Sequence, residues 1–432
     1  MSCTVVVGTQ FGDEGKGKIV DYYSDGMDVI VRYNGGANAG HTVVIEEERF
    51  AFSLLPSGVL RKDKMVVIGN GVAFDPEVFF SEVESLKKRG IAPAKIVISD
   101  RAHVVMPYHK LMDEVQERFK RNLRAGSTKR GIGPCYSDKV ARIGIRVCDL
   151  LDDKVLSEKL DIFTPLQVRL LAAYGETTKL SKERLRMQYL EYGTKLSPYV
   201  ADAAKLLNEA ILKEKMILLE GAQGTHLDID WGIYPYGTSS NVVSGGACTG
   251  SGIPPTRIER VIGVVKAYTS RVGQGPFVTE LNNSAGKWLQ EKGDEYGTVT
   301  RRPRRCGWLD LVMLNYSIRI NGVSEIALTK IDILSGLENV RICTAYKHNA
   351  KELRDFPASM RILSECRPIY VTLKGWHELS RQDWSSISER GYDSLPEELK
   401  SYIEYIEEVT NVPINLVSFG PEREQTLERG CE

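Results

Sequence analysis

Apolar positions in this chain come in blocks rather than singly. Short aliphatic runs rich in β-branched residues recur at 4–7, 28–33, 65–68, 95–99, 216–219, 261–266, 325–329, 369–373 and 414–418. Continuous runs of this length suit strands covered on both faces of a parallel sheet. Between them, 76–89, 108–121 and 308–320 carry apolar residues at helical spacing. The stretches 42–45 and 49–54 flank a charged turn and predict a hairpin. Helical character runs through about 150–214, which predicts an all-helical insertion, and the charged segment 347–355 opens a smaller excursion. The pattern predicts one α/β unit over 1–432, with a mostly parallel central sheet flanked by helices.

Many of the predicted strands end in glycine or polar signatures. These are Gly8 onward, Asn34-Gly35-Gly36-Ala37-Asn38-Ala39-Gly40-His41, Glu220-Gly221-Ala222-Gln223-Gly224, Lys330-Ile331-Asp332 and Ser418-Phe419-Gly420-Pro421. Open α/β sheets bind ligands outside the carboxyl ends of their strands. Separate signals therefore converge on one edge of one sheet.

The first signature, Gly8-Thr9-Gln10-Phe11-Gly12-Asp13-Glu14-Gly15-Lys16-Gly17-Lys18, lies between a predicted strand and a helix start. Glycines let backbone N–H groups converge on phosphates, and a helix N-terminus adds partial positive charge. The spacing departs from G-x-x-x-x-G-K-[ST], with Lys18 where a hydroxyl usually stands. Asp13 and Glu14 sit in the cradle, where a carboxylate repels phosphate unless it binds a divalent cation or moves a proton.

His41 ends a small-residue loop and is either a packed histidine or a general acid able to donate near neutral pH. Thr329-Lys330-Ile331-Asp332 has the look of a guanine-reading N-K-x-D element with Thr in place of Asn, and four residues alone do not decide it. Arg301-Arg302-Pro303-Arg304-Arg305 suits small anions or nucleic acid. The 126–142 segment, with Gly126-Ser127-Thr128 and Asp138-Lys139-Val140-Ala141-Arg142, reads as a loop able to meet phosphate.

Composition narrows the classes. Basic and acidic residues balance at 57 each, so nothing favours nucleic acid or an anionic membrane. The 8 cysteines include no C-x-x-C pair, against a zinc ribbon or a disulfide framework and for a reducing compartment. No signal peptide is evident, and no apolar stretch approaches the ~20 residues of a membrane span. The expectation is a cytoplasmic protein.

The stretches GTQFGDEGKGKIVD, NGGANAGHT, GIGPCYSDKVAR, LLEGAQGTHLDIDWGIYPYGTSSN, CTGSGIPP, TRRPRRCGWLD, TKID and SFGP together resemble the adenylosuccinate synthetases, over essentially the whole chain. Phe11 departs from the family's usual Trp. The resemblance implies a P-loop-NTPase-like fold and GTP-dependent joining of IMP to L-aspartate, with Mg²⁺ held by Asp13 and Gly40. It makes Asp13 the general base and His41 the general acid. It implies IMP contacts from Asp13, Glu14, Gly15, Lys16, Asn38, Ala39, Gly40, His41, Thr128, Gln223, Thr238 and Arg302. Arg142 joins them from the second subunit of a homodimer. Thr298, Val299, Thr300, Arg301, Arg302, Pro303 and Arg304 close on aspartate. GTP falls to Gly12, Asp13, Glu14, Gly15, Lys16, Gly17, Lys18, Gly40, His41, Thr42, Arg304, Lys330, Ile331, Asp332, Ser418, Phe419 and Gly420. A plain GTPase switch leaves the QGTHLDIDWGIYPYGTSSN segment and the arginine loop without a task, and neutral charge disfavours a nucleic-acid binder.

Overall fold

Residue-by-residue alternation inside the apolar blocks decides the architecture. Val5 and Val7 pack to one side with Val29, Val31, Ile217 and Leu219. Val6, Ile30, Leu218 and Ile262 pack to the other. A strand whose two faces are both covered cannot show polar–apolar alternation, which is why the runs read as continuous.

The computed structural model describes residues 3–45, 48–297 and 302–429. Among them is a ten-stranded sheet. From one edge its order is Thr426–Glu428, Ile414–Ser418, Glu325–Thr329, Ile258–Lys266, Cys3–Gly8, Ile217–Glu220, Val29–Arg32, Met65–Ile68, Lys95–Ser99 and Val200–Ala201. Every neighbouring pair is parallel except Thr426–Glu428 against Ile414–Ser418. The expected mostly parallel sheet is therefore present, and the carboxyl ends of its central strands share one edge.

Several expectations need correction. The run at 369–373 is a strand, Arg367–Lys374, but it pairs antiparallel with Asn339–His348 in a separate sheet. Its residues are half-buried because only one face meets a core. The segment at 347–355 completes the turn from that long strand into Lys351–Leu353. The helix expected from 308 begins at Leu311, because Asp310 Oδ1 accepts the N–H groups of Val312 and Met313 and caps it. The stretch 150–214 contains helices Asp153–Ala173, Lys182–Leu196 and Ala203–Leu212. It is not wholly helical, since Val200–Ala201 extends the central sheet. The expected hairpin is there, His41–Ile45 against Glu48–Phe52.

Candidate active site

Close packing dictates the glycines of the first loop. A Cβ on Gly8 would lie 2.5 Å from Glu14 Oε2 and 2.8 Å from Lys16 Nζ. Gly12 adopts a left-handed φ of 93°, with the Gln223 backbone 2.8 Å from any added Cβ. Gly15, also left-handed, opens helix Lys16–Tyr23 with no side-chain cap, so the helix's first N–H groups stay available at the sheet edge.

The two loop carboxylates have separated tasks. Glu14 is fully buried; Oε1 accepts from the N–H groups of Gln10 and Gly12, and Oε2 pairs with Lys16 at 2.7 Å. It braces the loop and turns Lys16 inward, so its side chain does not face a ligand. Asp13 is different. Its Oδ2 takes the Ser270 hydroxyl, with Lys266 Nζ and Arg304 Nε each 3.3 Å away. Its Oδ1 is buried and has no protein partner.

The loop before His41 is stitched by a buried arginine. Arg32 donates to the carbonyls of Asn34, Gly36 and Ser53. His41 Nδ1 pairs with Glu220 at the end of strand Ile217–Glu220, and Ser57 donates both N–H and hydroxyl to that carboxylate at 2.8 Å. Burial lowers the His41 pKa despite the opposing pull of Glu220. Burial acts to raise Glu220, but His41 and Arg32 hold it below the usual carboxylate range. The arrangement is a neutral imidazole donating from Nδ1 to an ionised carboxylate. That leaves His41 Nε2 buried and unpartnered.

Asp13 and His41 line one cavity of about 500 Å³ together with Gly12, Asn38, Ala39, Gly40, Thr128, Gln223, Thr238, Arg302 and Arg304. On its wall Asn38 accepts from Gln223 Nε2 at 3.2 Å and donates to Thr238 at 3.4 Å. The loop bearing Thr128 is held from below by helix Pro107–Phe119. Glu117 accepts the N–H groups of Ala125, Gly126 and Ser127, and Asp113 accepts the Ser127 hydroxyl and the Gly131 N–H. Arg142 is not in this lining. It sits exposed and left-handed, φ 65°, at the end of helix Ile132–Ala141.

Beyond the cavity, the carboxyl ends of Glu325–Thr329 and its neighbour Ile414–Ser418 bring two further motifs to the edge that holds the glycine loop. Thr329 donates to the Glu14 carbonyl at 2.6 Å, tying this motif to the glycine loop. Asp332 is half-buried, with its Oδ1 buried and unpartnered, and desolvation raises the pKa of its carboxyl. Lys18 donates to the carbonyls of Phe419, Gly420 and Gln425. It clasps the last motif to the first helix rather than projecting toward phosphate. Ile331 and Phe419 are core side chains, the latter stacked on Trp384, so only their backbones face outward. Gly17 lies under the Thr42 carbonyl. Ser418 closes its strand.

In the arginine loop, Gly297 donates to the Arg302 carbonyl at 2.8 Å, and Tyr296 bridges Pro303. Thr298, Val299, Thr300 and Arg301 lie outside the described residues. Arg304 pairs with Asp13 and, at 2.8 Å, with Glu295.

Sequence reading missed Ser57, Ser270 and Glu295, and it treated Arg32, Asp113, Glu117, Glu220 and Lys266 only as parts of runs. Asp113 and Glu117 carried a signal, carboxylates four apart on one helix face. The others are single polar residues whose partners are far along the chain.

The adenylosuccinate synthetase family profile matches residues 5–427. Among curated relatives, adenylosuccinate synthetase of Acetivibrio thermocellus is 49% identical over 427 residues, 99% of each chain. That of Halothermothrix orenii is 48% identical over the full length of both. The solved structure of fully ligated adenylosuccinate synthetase from Plasmodium falciparum superposes with a TM-score of 0.91 at 40% identity, covering 100% of both chains. With glycine loop, buried carboxylate and paired histidine at one sheet edge and matches of this length, the chain belongs to the adenylosuccinate synthetase family, whose enzymes ligate IMP and L-aspartate at the expense of GTP.

Proposed function

We propose that the family's reaction, formation of adenylosuccinate through 6-phosphoryl-IMP with release of GDP and phosphate, is carried here by Asp13 as base and His41 as acid. The observation that carries this reading is the pair of unpartnered buried atoms, Asp13 Oδ1 and His41 Nε2, in residues lining one cavity. A buried polar atom without a partner calls for an explanation, and two of them in residues lining one cavity suit a bound ligand.

Asp13 takes the N1 proton of IMP, which places charge on O6. O6 attacks the γ-phosphorus of GTP, the bond to the β-phosphate oxygen breaks and GDP leaves. Phosphoryl transfer depends chiefly on positioning and charge. An anionic group beside His41 Nε2 favours the imidazolium, so this histidine becomes a donor when the charge needing it is present. The amine of aspartate then adds at C6 and phosphate departs.

Asn38, Thr128, Gln223, Thr238 and Arg302 are assigned to IMP, the 298–304 loop to aspartate, and Lys330, Asp332 and Ser418–Gly420 to GTP. Asp332 suits guanine because one carboxylate oxygen is free to accept. A Mg²⁺ ion fits the donor set: the Asp13 carboxylate and the Gly40 carbonyl would hold it, one ion per subunit, and it would neutralise phosphate charge. Among the described residues no group of three or more His, Cys, Asp or Glu is placed to hold a metal ion. A hard cation of this kind takes few protein ligands and completes its shell with phosphate and water oxygens.

Arg142 is assigned to the partner subunit's IMP site in a homodimer. It is absent from its own cavity, and Val140 beside it is 80% exposed, as suits a contact surface. Among the described residues no helix is long and apolar enough to cross a membrane, and a cytoplasmic location is assigned. The test is omission: protein, Mg²⁺, GTP, IMP and aspartate are mixed and each is left out in turn. Product and phosphate must require every component; phosphate release that ignores aspartate overturns the ligase assignment.

A further inference from the structure

Behind Asp13 lies a charge cluster centred on Glu295, a residue to which the chemistry above gives no role. Lys266 and Glu295 are both fully buried and paired at 3.0 Å. Glu295 Oε1 also meets Lys330 at 3.2 Å and the Tyr268 hydroxyl, while Oε2 meets Arg304 at 2.8 Å. Ser270 receives Lys266 and turns its single proton toward Asp13 Oδ2, with Glu295 Oε2 at 3.1 Å as the alternative acceptor. Burial by itself raises the Glu295 carboxyl, yet Lys266, Lys330 and Arg304 hold it well below the ordinary range.

Charges buried this deeply are costly to desolvate, and apolar residues of similar volume often serve stability as well or better. This one carboxylate meets cations from three separate functional segments. Lys266 ends the strand beside the glycine loop, Arg304 ends the arginine loop, and Lys330 belongs to the guanine motif. If Glu295 loses its charge, Lys266 and Arg304, each 3.3 Å from Asp13 Oδ2, keep Asp13 as their nearby anion. They then close on Asp13 and compete for Oδ1.

We propose that Glu295 is a positioning residue for the ligation reaction, holding Lys266 and Arg304 back so that one oxygen of Asp13 stays free. This rests on Asp13 acting as base. It also gives the arginine loop and the guanine strand a common anchor at the reacting end of the site.

The test is steady-state kinetics on the full-length chain, with thermal unfolding measured alongside. Folded Glu295→Gln is expected to lose about 10²-fold in kcat, the scale of a small misplacement at a reacting group. Its IMP KM should move by less than about threefold, since transition-state geometry is lost rather than uniform binding. The double variant Lys266→Met/Glu295→Gln removes the surplus cation and should recover at least about tenfold over the single variant. A merely structural carboxylate predicts the reverse: kcat per folded molecule near the parent's, and a double variant no faster than the single one. Either result overturns the proposal. Where Glu295→Gln does not fold, Tyr268→Phe removes only the hydroxyl that pins Glu295; kcat should fall severalfold, and an unchanged kcat overturns the proposal. Asp13→Asn separates the two readings. Activity retained in that variant defeats the base assignment and this inference with it, whereas an inactive Asp13→Asn beside a fully active Glu295→Gln defeats this inference alone.

Discussion

Glu220 holds His41 by its Nδ1 nitrogen, although 179 residues separate the two in sequence. The carboxylate ends a central strand and the histidine begins a hairpin, so only the sheet edge brings them together. The pairing fixes which nitrogen of His41 faces the cavity, and it places a counter-charge where an imidazolium needs one.

Replacing Glu220 by Gln keeps the shape and removes that counter-charge. We expect kcat to fall toward the level of His41→Asn, a loss of ~10²–10⁴-fold for a missing general acid. IMP KM should change little in either variant, because a leaving-group contact acts in the transition state. Steady-state kinetics at saturating substrates check this; an effect confined to IMP KM shows that His41 only binds.

Asp13→Ala and Arg142→Leu should each be inactive as purified proteins. Mixed after subunit exchange, they should regain activity, because a hybrid dimer contains one site with neither lesion. Activity is measured against mixing time, with exchange followed by a mass tag on one variant. Exchange without recovery shows that Arg142 does not complete the partner's site.

Asp332→Asn places an amide donor opposite the guanine donors, which costs about 1–3 kcal/mol for each polar group left unpaired. Xanthine carries an oxygen where guanine has its amine and can accept from the new amide. Efficiency should drop with GTP and rise with XTP, leaving the IMP and aspartate constants nearly unmoved. Kinetics with both triphosphates decide the matter, and unchanged use of GTP moves the guanine contact elsewhere.

Asp310 offers a test of stability against pH. Burial pushes its carboxyl up to about 7, from an ordinary value of 3.8, against the lowering effect of the Tyr346 hydroxyl and the Val312 and Met313 N–H groups. Between those values the folded protein binds a proton that the unfolded chain has released. This contribution is fully present below pH 3.8 and is lost as pH rises to about 7, with a slope of at most about 1.4 kcal/mol per pH unit. Asp310→Asn should flatten that part of a denaturant-unfolding series run from pH 5 to 7. An unchanged slope assigns it to other groups.

Legibility of the site followed the range of the interactions. The glycine loop, the 34–41 loop and the Lys330–Asp332 turn were readable because each is a contiguous string whose backbone geometry needs particular residues. His41 and Asp13 stood out inside such strings. Glu220, Ser57, Lys266 and Glu295 did not, since an isolated charged or hydroxyl residue looks the same whether it faces water or a buried partner. Glu14 shows the same limit from the other side. In sequence it stands beside Asp13 as an equal, and only packing turns it inward onto Lys16 and the loop N–H groups.

By itself the chain determined its parallel sheet and the edge where its glycine and polar motifs gather. Apolar blocks, helical spacing and glycine punctuation are local patterns, and local sterics and burial suffice to interpret them. Tertiary structure alone decided which face of the molecule received the run at 369–373 and where Val200–Ala201 joined the sheet. It also decided that Lys18 would grip carbonyls of the last motif rather than point to phosphate. The physical reason is that an ion pair or hydrogen bond depends on distance in space. Residues such as His41 and Glu220 come within that distance only after the strands between them have taken their places.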